Sequence, residues 1–212
     1  MCGIFGFVGN GMANKEVLLN IAEKASERGP DGFGIVFWNK NKSAVFYGKS
    51  NLFDSRKNAE KEIRKLEGAD LVLGHFRMAT QGGNGVAHPF KVNETWLVHN
   101  GNVYQKDRYN YDSKTDCDSE LVAFEVSAKW ARPNGNESER LLLDIANEMH
   151  NGVHFAIGVA TENTLCIARH GHPVFVKEDD NGWYFCSKNF DESTLMTDGM
   201  KFTKSENGWG KA

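Results

Sequence analysis

Cysteine is scarce in this chain of 212 residues: four occur, at positions 2, 117, 166 and 186, and no two form a Cys-x-x-Cys pair. A chain of this length does not need disulfides to hold a core, so the pattern fits a reducing compartment, and a cytoplasmic location is expected. Long apolar runs are missing too. None approaches the roughly 20 residues that span a bilayer as a helix. The N-terminus lacks the basic segment and apolar stretch of a signal peptide. Positive charge is not in excess, the formal net charge being −3, which argues against a nucleic-acid binder with its basic face. No repeat, low-complexity tract or linker divides the sequence, so residues 1–212 are read as a single domain.

What is present is a series of short apolar periods. Residues 3–8 read as a strand. Val17, Leu18, Ile21, Ala22 and Ala25 recur at helical spacing between Asn14 and Glu27, with Asn14 suited to the N-cap. "GIVFWNKNKSAVFYGK" predicts a hairpin with a polar turn at Asn39–Lys42. Residues 55–67 predict a charged helix with Ile63 and Leu66 on its apolar side. "LVLGHF" at 71–76 and "TWLVHN" at 95–100 predict buried strands. Two helices follow, near 118–131 and 137–150, separated by the breaker "RPNGN". Strands are expected again at 153–161, 164–169, 173–177 and 183–187, and the last dozen residues, ending "KSENGWGKA", as a loosely held tail. This order lacks the βαβ alternation of a parallel sheet and fits an α+β fold of antiparallel sheets covered by helices.

Four polar segments carry residue types that folding alone does not demand. "ERGPDGFG" at 27–34 is either a turn with a solvated Arg28–Asp31 pair or a rigid loop beside a site. "GHFRMATQGG" at 74–83 ends a buried strand on Arg77, Thr80 and Gln81; an arginine there is either a surface residue or a bidentate holder of a carboxylate. Asn100–Gly101 is either a hairpin turn or an amide and a backbone N–H aimed at a developing negative charge. Asp118 and Ser119 precede a helical run, where Asp118 is either an N-cap or a partner for an ammonium group. His75, His88 and His99 match no local zinc motif, so packed or hydrogen-bonded roles are expected and no metal. Cys2 is either a small buried residue at a strand start or, once Met1 is removed, a nucleophile carrying its own α-amino base.

In order along the chain, MCGI, RGPDG, HFRMATQG, HPF, HNGNVY and DSE resemble the glutaminase domain of class II glutamine amidotransferases, which are N-terminal-nucleophile (Ntn) hydrolases. The resemblance runs from Cys2 to about Glu120. It implies a four-layer αββα sandwich of two antiparallel sheets. It implies Cys2 as nucleophile, Asn100 and Gly101 as oxyanion hole, Arg77 and Thr80 as the pocket for the glutamine α-carboxylate, Asp118 as holder of the α-ammonium, and Arg28 on the loop bordering the nucleophile. Gln81 stands where aminosugar-forming relatives have His, and Met78 where several relatives have Trp. RGPDG and NGNVY lean toward asparagine synthetase, HFRMATQG toward the aminosugar and purine type.

The implied reaction is hydrolysis of L-glutamine to glutamate and ammonia through a γ-glutamyl thioester, without cofactor or metal. The family usually fuses this domain to a synthase, and 212 residues hold none, so the chain is read either as a separate subunit working with an ATP-using synthase partner or as a domain cut from a longer protein, with no nucleic acid and no membrane involved. A stand-alone amidohydrolase acting on another γ-glutamyl amide and a non-catalytic regulatory domain are the alternatives. Intact Cys2, Arg77, Asn100 and Asp118 argue against the last.

Overall fold

The computed structural model describes residues 1–39, 42–80, 87–104, 106–130 and 139–212. In chain order its strands and helices are β1 (Gly3–Gly9), α1 (Lys15–Ser26), β2 (Gly32–Asn39), β3 (Lys42–Gly48), α2 (Arg56–Arg64), β4 (Leu71–Arg77), β5 (Phe90–Val92), β6 (Thr95–Asn100), α3 (Asp118–Lys129), α4 (Glu139–His150), β7 (Phe155–Ala160), β8 (Thr164–His170), β9 (Phe175–Asp179), β10 (Gly182–Cys186), β11 (Thr194–Leu195), β12 (Gly199–Ser205) and β13 (Gly208–Lys211). Among the described residues no helix is long and apolar enough to cross a membrane.

The strands form two antiparallel sheets. One has the order β11-β9-β10-β1-β4-β2-β3, the other β13-β12-β8-β7-β6-β5. Three apolar clusters separate four layers. Phe5, Phe7, Val72 and Phe76 pack with Leu18, Ile21 and Ala22 of α1 and Ile63 of α2. Ile4, Val8, Leu71, Leu73, Trp96, Val98 and Ile167 fill the space between the sheets. Leu97, Ile157 and Val159 pack with Val122, Val126, Leu142 and Ile145 of α3 and α4. The layering is therefore αββα. Successive strand side chains point to opposite faces, and both faces of each central strand are covered. Hence β1, β4, β6 and β7 are buried along their full length.

Most predicted elements appear near their expected bounds. Asn14 caps α1, its side chain accepting from the Glu16 and Val17 N–H groups. Helix α2 stops at Arg64, and Leu66 is buried in the turn that follows. The hairpin of β2 and β3 pairs as expected, although residues 40 and 41 of its turn lie outside the described residues, as does the breaker at 132–136. One expectation is overturned. The last dozen residues are not a loose tail: β12 and β13 pair as the edge of the second sheet. Trp209 is buried, and both backbone polar groups of Trp209 bond the Asn10 side chain, its N–H to Oδ1 and its carbonyl to Nδ2.

Candidate active site

Strand parity brings the site together. In β4, Leu71 and Leu73 face the other sheet, so His75 and Arg77 share that face. In β1 the same face carries Ile4 and Val8, and Cys2 continues it one step before the strand. The β1–β4 register pairs Gly3 with Phe76, and one further step sets Cys2 beside Arg77. In β6, Trp96 and Val98 face inward, which turns Asn100 toward Cys2 and His99 toward the helices. Gly3 is required by a close approach: a Cβ there would lie 2.0 Å from the Ala25 carbonyl oxygen of α1.

Cys2, Arg77, Thr80, Gly101 and Asp118 line one narrow cleft, together with Met78, His88, His99, Cys117 and Ser119. A wider open groove between β3 and α2 is lined by Phe33, Tyr47, Asn51 and Lys61, among others, but the chemistry-bearing residues converge on the cleft. The Cys2 thiol lies against the Met78 backbone, its Sγ accepting from the N–H at 3.4 Å and lying 3.6 Å from the carbonyl oxygen. Burial pushes the thiol above its ordinary pKa, opposed by the Met78 hydrogen bond, the N-terminal amino group and Arg77. The Cys2 carbonyl accepts from two side chains, Arg28 Nε at 2.9 Å and Asn100 Nδ2 at 3.1 Å. Met1 is exposed, and its amino nitrogen lies 2.6 Å from Met78 Sδ.

Several open readings resolve. Arg28 makes no solvated pair with Asp31: it reaches the Cys2 and Ser187 carbonyls, while the Asp31 carboxylate accepts the Ala79 N–H at 2.8 Å. Asn100–Gly101 is not a hairpin turn, since β6 pairs with β7 and β5. Asp118 is not the N-cap of α3. It is the first helical residue, the cap position being Cys117, and its buried Oδ2 accepts the Val103 N–H at 2.8 Å. Arg77 is buried at the end of β4. Thr80 is exposed, its hydroxyl 3.5 Å from Asn102 Oδ1. Gln81 lies outside the described residues.

The histidines are packed and hydrogen-bonded. His75 Nε2 lies 3.1 Å from the His99 carbonyl, and His88 Nδ1 lies 3.3 Å from the His99 N–H. Burial lowers His75 to about 3, and burial with neighbouring histidines holds His88 and His99 well below 6.5. Among the described residues no group of three or more His, Cys, Asp or Glu is placed to hold a metal ion.

Two supports were not legible in the sequence. Ser187, at the end of β10, donates its N–H to the Ile4 carbonyl at 2.8 Å and accepts the Ile4 N–H on Oγ at 2.9 Å, holding the start of β1. Glu120 accepts the Lys114 and Thr115 N–H groups, ordering the approach to α3. The first follows from a pairing between distant segments, for which local composition carries no signal; the second is a local contact across five and six residues in an irregular stretch whose conformation no periodic pattern announces.

No family model matches the chain. It is 30% identical over 192 residues to the isomerizing glutamine–fructose-6-phosphate aminotransferase of Bacillus licheniformis, covering 85% of this chain and 31% of that protein. The chain thus spans about a third of the length of that relative. Its fold is similar to glutamine phosphoribosylpyrophosphate amidotransferase from B. subtilis, with TM-score 0.72 and 20% identity over 100% of this chain and 49% of the other. It is also similar to a glutamine aminotransferase class-II domain protein from Silicibacter pomeroyi, with TM-score 0.65 and 15% identity over 100% and 98% of the two chains.

Proposed function

Given that the chain belongs to the class II glutamine amidotransferases, as a glutaminase-type domain, we propose that it hydrolyses L-glutamine to glutamate and ammonia with Cys2 as nucleophile. The observation that carries this reading is the convergence of Cys2, Arg77, Gly101 and Asp118 on one cleft, from four segments far apart in sequence.

The chemistry follows from the groups present. With Met1 removed, the α-amino group of Cys2 becomes the base that a buried thiol needs. As the amine takes the Sγ proton, sulfur attacks the side-chain carbonyl carbon of glutamine. The oxygen gains the negative charge, facing the Gly101 N–H and the second Nδ2–H of Asn100. An amide NH2 carries two donors, and Asn100 spends one on the Cys2 carbonyl. The carbon–nitrogen bond breaks, the amine returns its proton to the leaving nitrogen, and ammonia departs. A γ-glutamyl thioester remains. Water, deprotonated by the same amine, attacks it and releases glutamate and the thiol.

Arg77 holds the α-carboxylate, with Thr80 at the same end. Asp118 holds the α-ammonium, its Oδ1 facing the substrate while Oδ2 keeps Val103. Arg28 fixes the Cys2 backbone through its carbonyl. Reading both charged ends selects the free amino acid over peptide-linked glutamine.

Ammonia released into water at neutral pH is mostly protonated, so a synthase partner, ATP-using as expected from the sequence, is proposed to receive it. The S. pomeroyi likeness, in which the fold makes up nearly a whole chain, favours a second reading, a stand-alone amidohydrolase acting on a γ-glutamyl amide. The deciding measurement is glutamate release by the isolated chain, alone and with candidate synthases from the same genome. Stimulation with complex formation supports the partnered reading, full unstimulated turnover supports the stand-alone one, and no hydrolysis of any γ-glutamyl amide sinks both.

A further inference from the structure

The ring of His99 faces away from Asn100, toward the helices, and takes no part in the chemistry above. Both of its nitrogens are nevertheless engaged. Nδ1 lies 2.8 Å from Ser119 Oγ and Nε2 lies 2.7 Å from His150 Nε2. His150 Nδ1 in turn lies 2.6 Å from the Ala146 carbonyl oxygen in α4. All three side chains are buried.

The last acceptor assigns every proton. A carbonyl oxygen only accepts, so His150 Nδ1 carries hydrogen. In a neutral imidazole the other nitrogen then accepts, and His99 Nε2 must donate to it. His99 Nδ1 is left as an acceptor, so the Ser119 hydroxyl donates into it. The bonds run one way, Ser119 to His99 to His150 to Ala146, and reversing either bond of His99 would set two acceptors against each other. Burial keeps both rings neutral by lowering their pKa values.

We propose that Ser119, His99 and His150 form a positioning relay that sets the Asn100–Gly101 oxyanion donors relative to Asp118. The inference rests on the glutaminase reading above. Three observations support it. His99 immediately precedes the oxyanion pair, and Ser119 immediately follows Asp118, so their 2.8 Å bond ties β6 to the first turn of α3 beside both functional groups. A second tie, the Val103 N–H to Asp118 Oδ2, lies on the other side of Asn100 and Gly101. Gly101 itself lies against the relay: a Cβ there would come within 2.7 Å of His99 Nε2 and 2.9 Å of His150 Nε2. Glycine at 101 thus preserves the imidazole–imidazole bond, and any side chain would press on it.

The test compares Ser119→Ala with Ser119→Thr in the full chain. Loss of the hydroxyl should lower kcat for glutamate release about tenfold or more, since a buried acceptor is left unpaired. KM for glutamine should stay within about twofold, and threonine should restore kcat to within about threefold. Glutamate γ-semialdehyde, which forms a tetrahedral adduct with the thiol, should bind more weakly by the same factor, while glutamate binds as before. The order parameter of the Gly101 amide should fall below the ~0.85 of a rigid backbone. That amide measurement decides the positioning role even if the wild type releases no glutamate, an outcome that would instead sink the glutaminase reading. Unchanged Gly101 dynamics in Ser119→Ala, or a raised KM with unchanged kcat, overturns the relay. His150→Leu reads it from the far end should Ser119→Ala not fold.

Discussion

Asn100 Nδ2 donates to the Cys2 carbonyl across 3.1 Å, joining the end of β6 in one sheet to the start of β1 in the other. The residue proposed to stabilise the oxyanion therefore also anchors the nucleophile's backbone. Asn100→Ala should lower kcat by about 10²–10³ with little change in KM, as removal of one oxyanion donor does elsewhere. Steady-state glutamate release checks this. A rise in KM alone would place Asn100 in ground-state binding.

Cys2→Ala should leave the thermal unfolding transition intact and abolish hydrolysis. Active wild-type protein should lack Met1 by intact mass, because the base is the amine of Cys2. Burial raises the thiol, so activity should climb with pH as an amine of pKa about 7.7–8.0 loses its proton. Full activity in protein that retains Met1 would remove the α-amine from the mechanism.

Asp118 offers a pair of variants that separate its two contacts. Asp118→Asn keeps an oxygen for the Val103 N–H but loses the charge facing the substrate ammonium. It should lower kcat/KM by at least about a hundredfold, since a charged partner left alone costs roughly 2–5 kcal/mol. Asp118→Ala should show the same kinetic loss and also unfold more easily, by about 1–3 kcal/mol for the unpaired buried N–H. Equal kinetics on glutamine and its N-acetyl derivative would contradict the role.

Four buried histidines predict sensitivity to mild acid. Burial holds His75, His88, His99 and His150 below 6.5; Arg77 adds to the effect at His75 and His88, and Asp118 opposes it at His150. The unfolded chain thus takes up protons that the folded chain refuses. Their contribution to stability is complete above pH 6.5 and is lost progressively as pH falls below it, down to about 3 for His75. Tm should fall between pH 6.5 and 5, before most carboxylates titrate, and a flat Tm over that interval would contradict the assignment.

The C-terminal hairpin should contribute to global stability. Trp209→Ala should destabilise by about 3–5 kcal/mol, as loss of a buried aromatic typically does, and Asn10→Ala should destabilise through its two lost bonds to the Trp209 backbone. Denaturant melts would show both. Wild-type melting after removal of residues 201–212 would mean that the hairpin is dispensable.

Much of this molecule is determined locally. The short apolar runs in residues 3–8, 71–76 and 95–100 mark buried strands, because a strand covered on both faces needs apolar side chains pointing both ways. The Asn14 cap is local in the same way, its oxygen bonding N–H groups two and three residues on. The order of the short polar motifs marks the candidate site residues one by one. What the tertiary structure alone decided is where those residues meet and what holds them. Ser187 supports Ile4 from 183 positions away, His150 bonds His99 from 51, and Arg28, from the turn after α1, and Asn100, from the second sheet, reach one carbonyl. The tail ending "KSENGWGKA" reads as loose because its composition is polar, yet one buried tryptophan and a distant asparagine hold it in the second sheet. Contacts of this kind depend on sheet pairing across long stretches of chain, and pairing energy is not carried in the composition of any one segment.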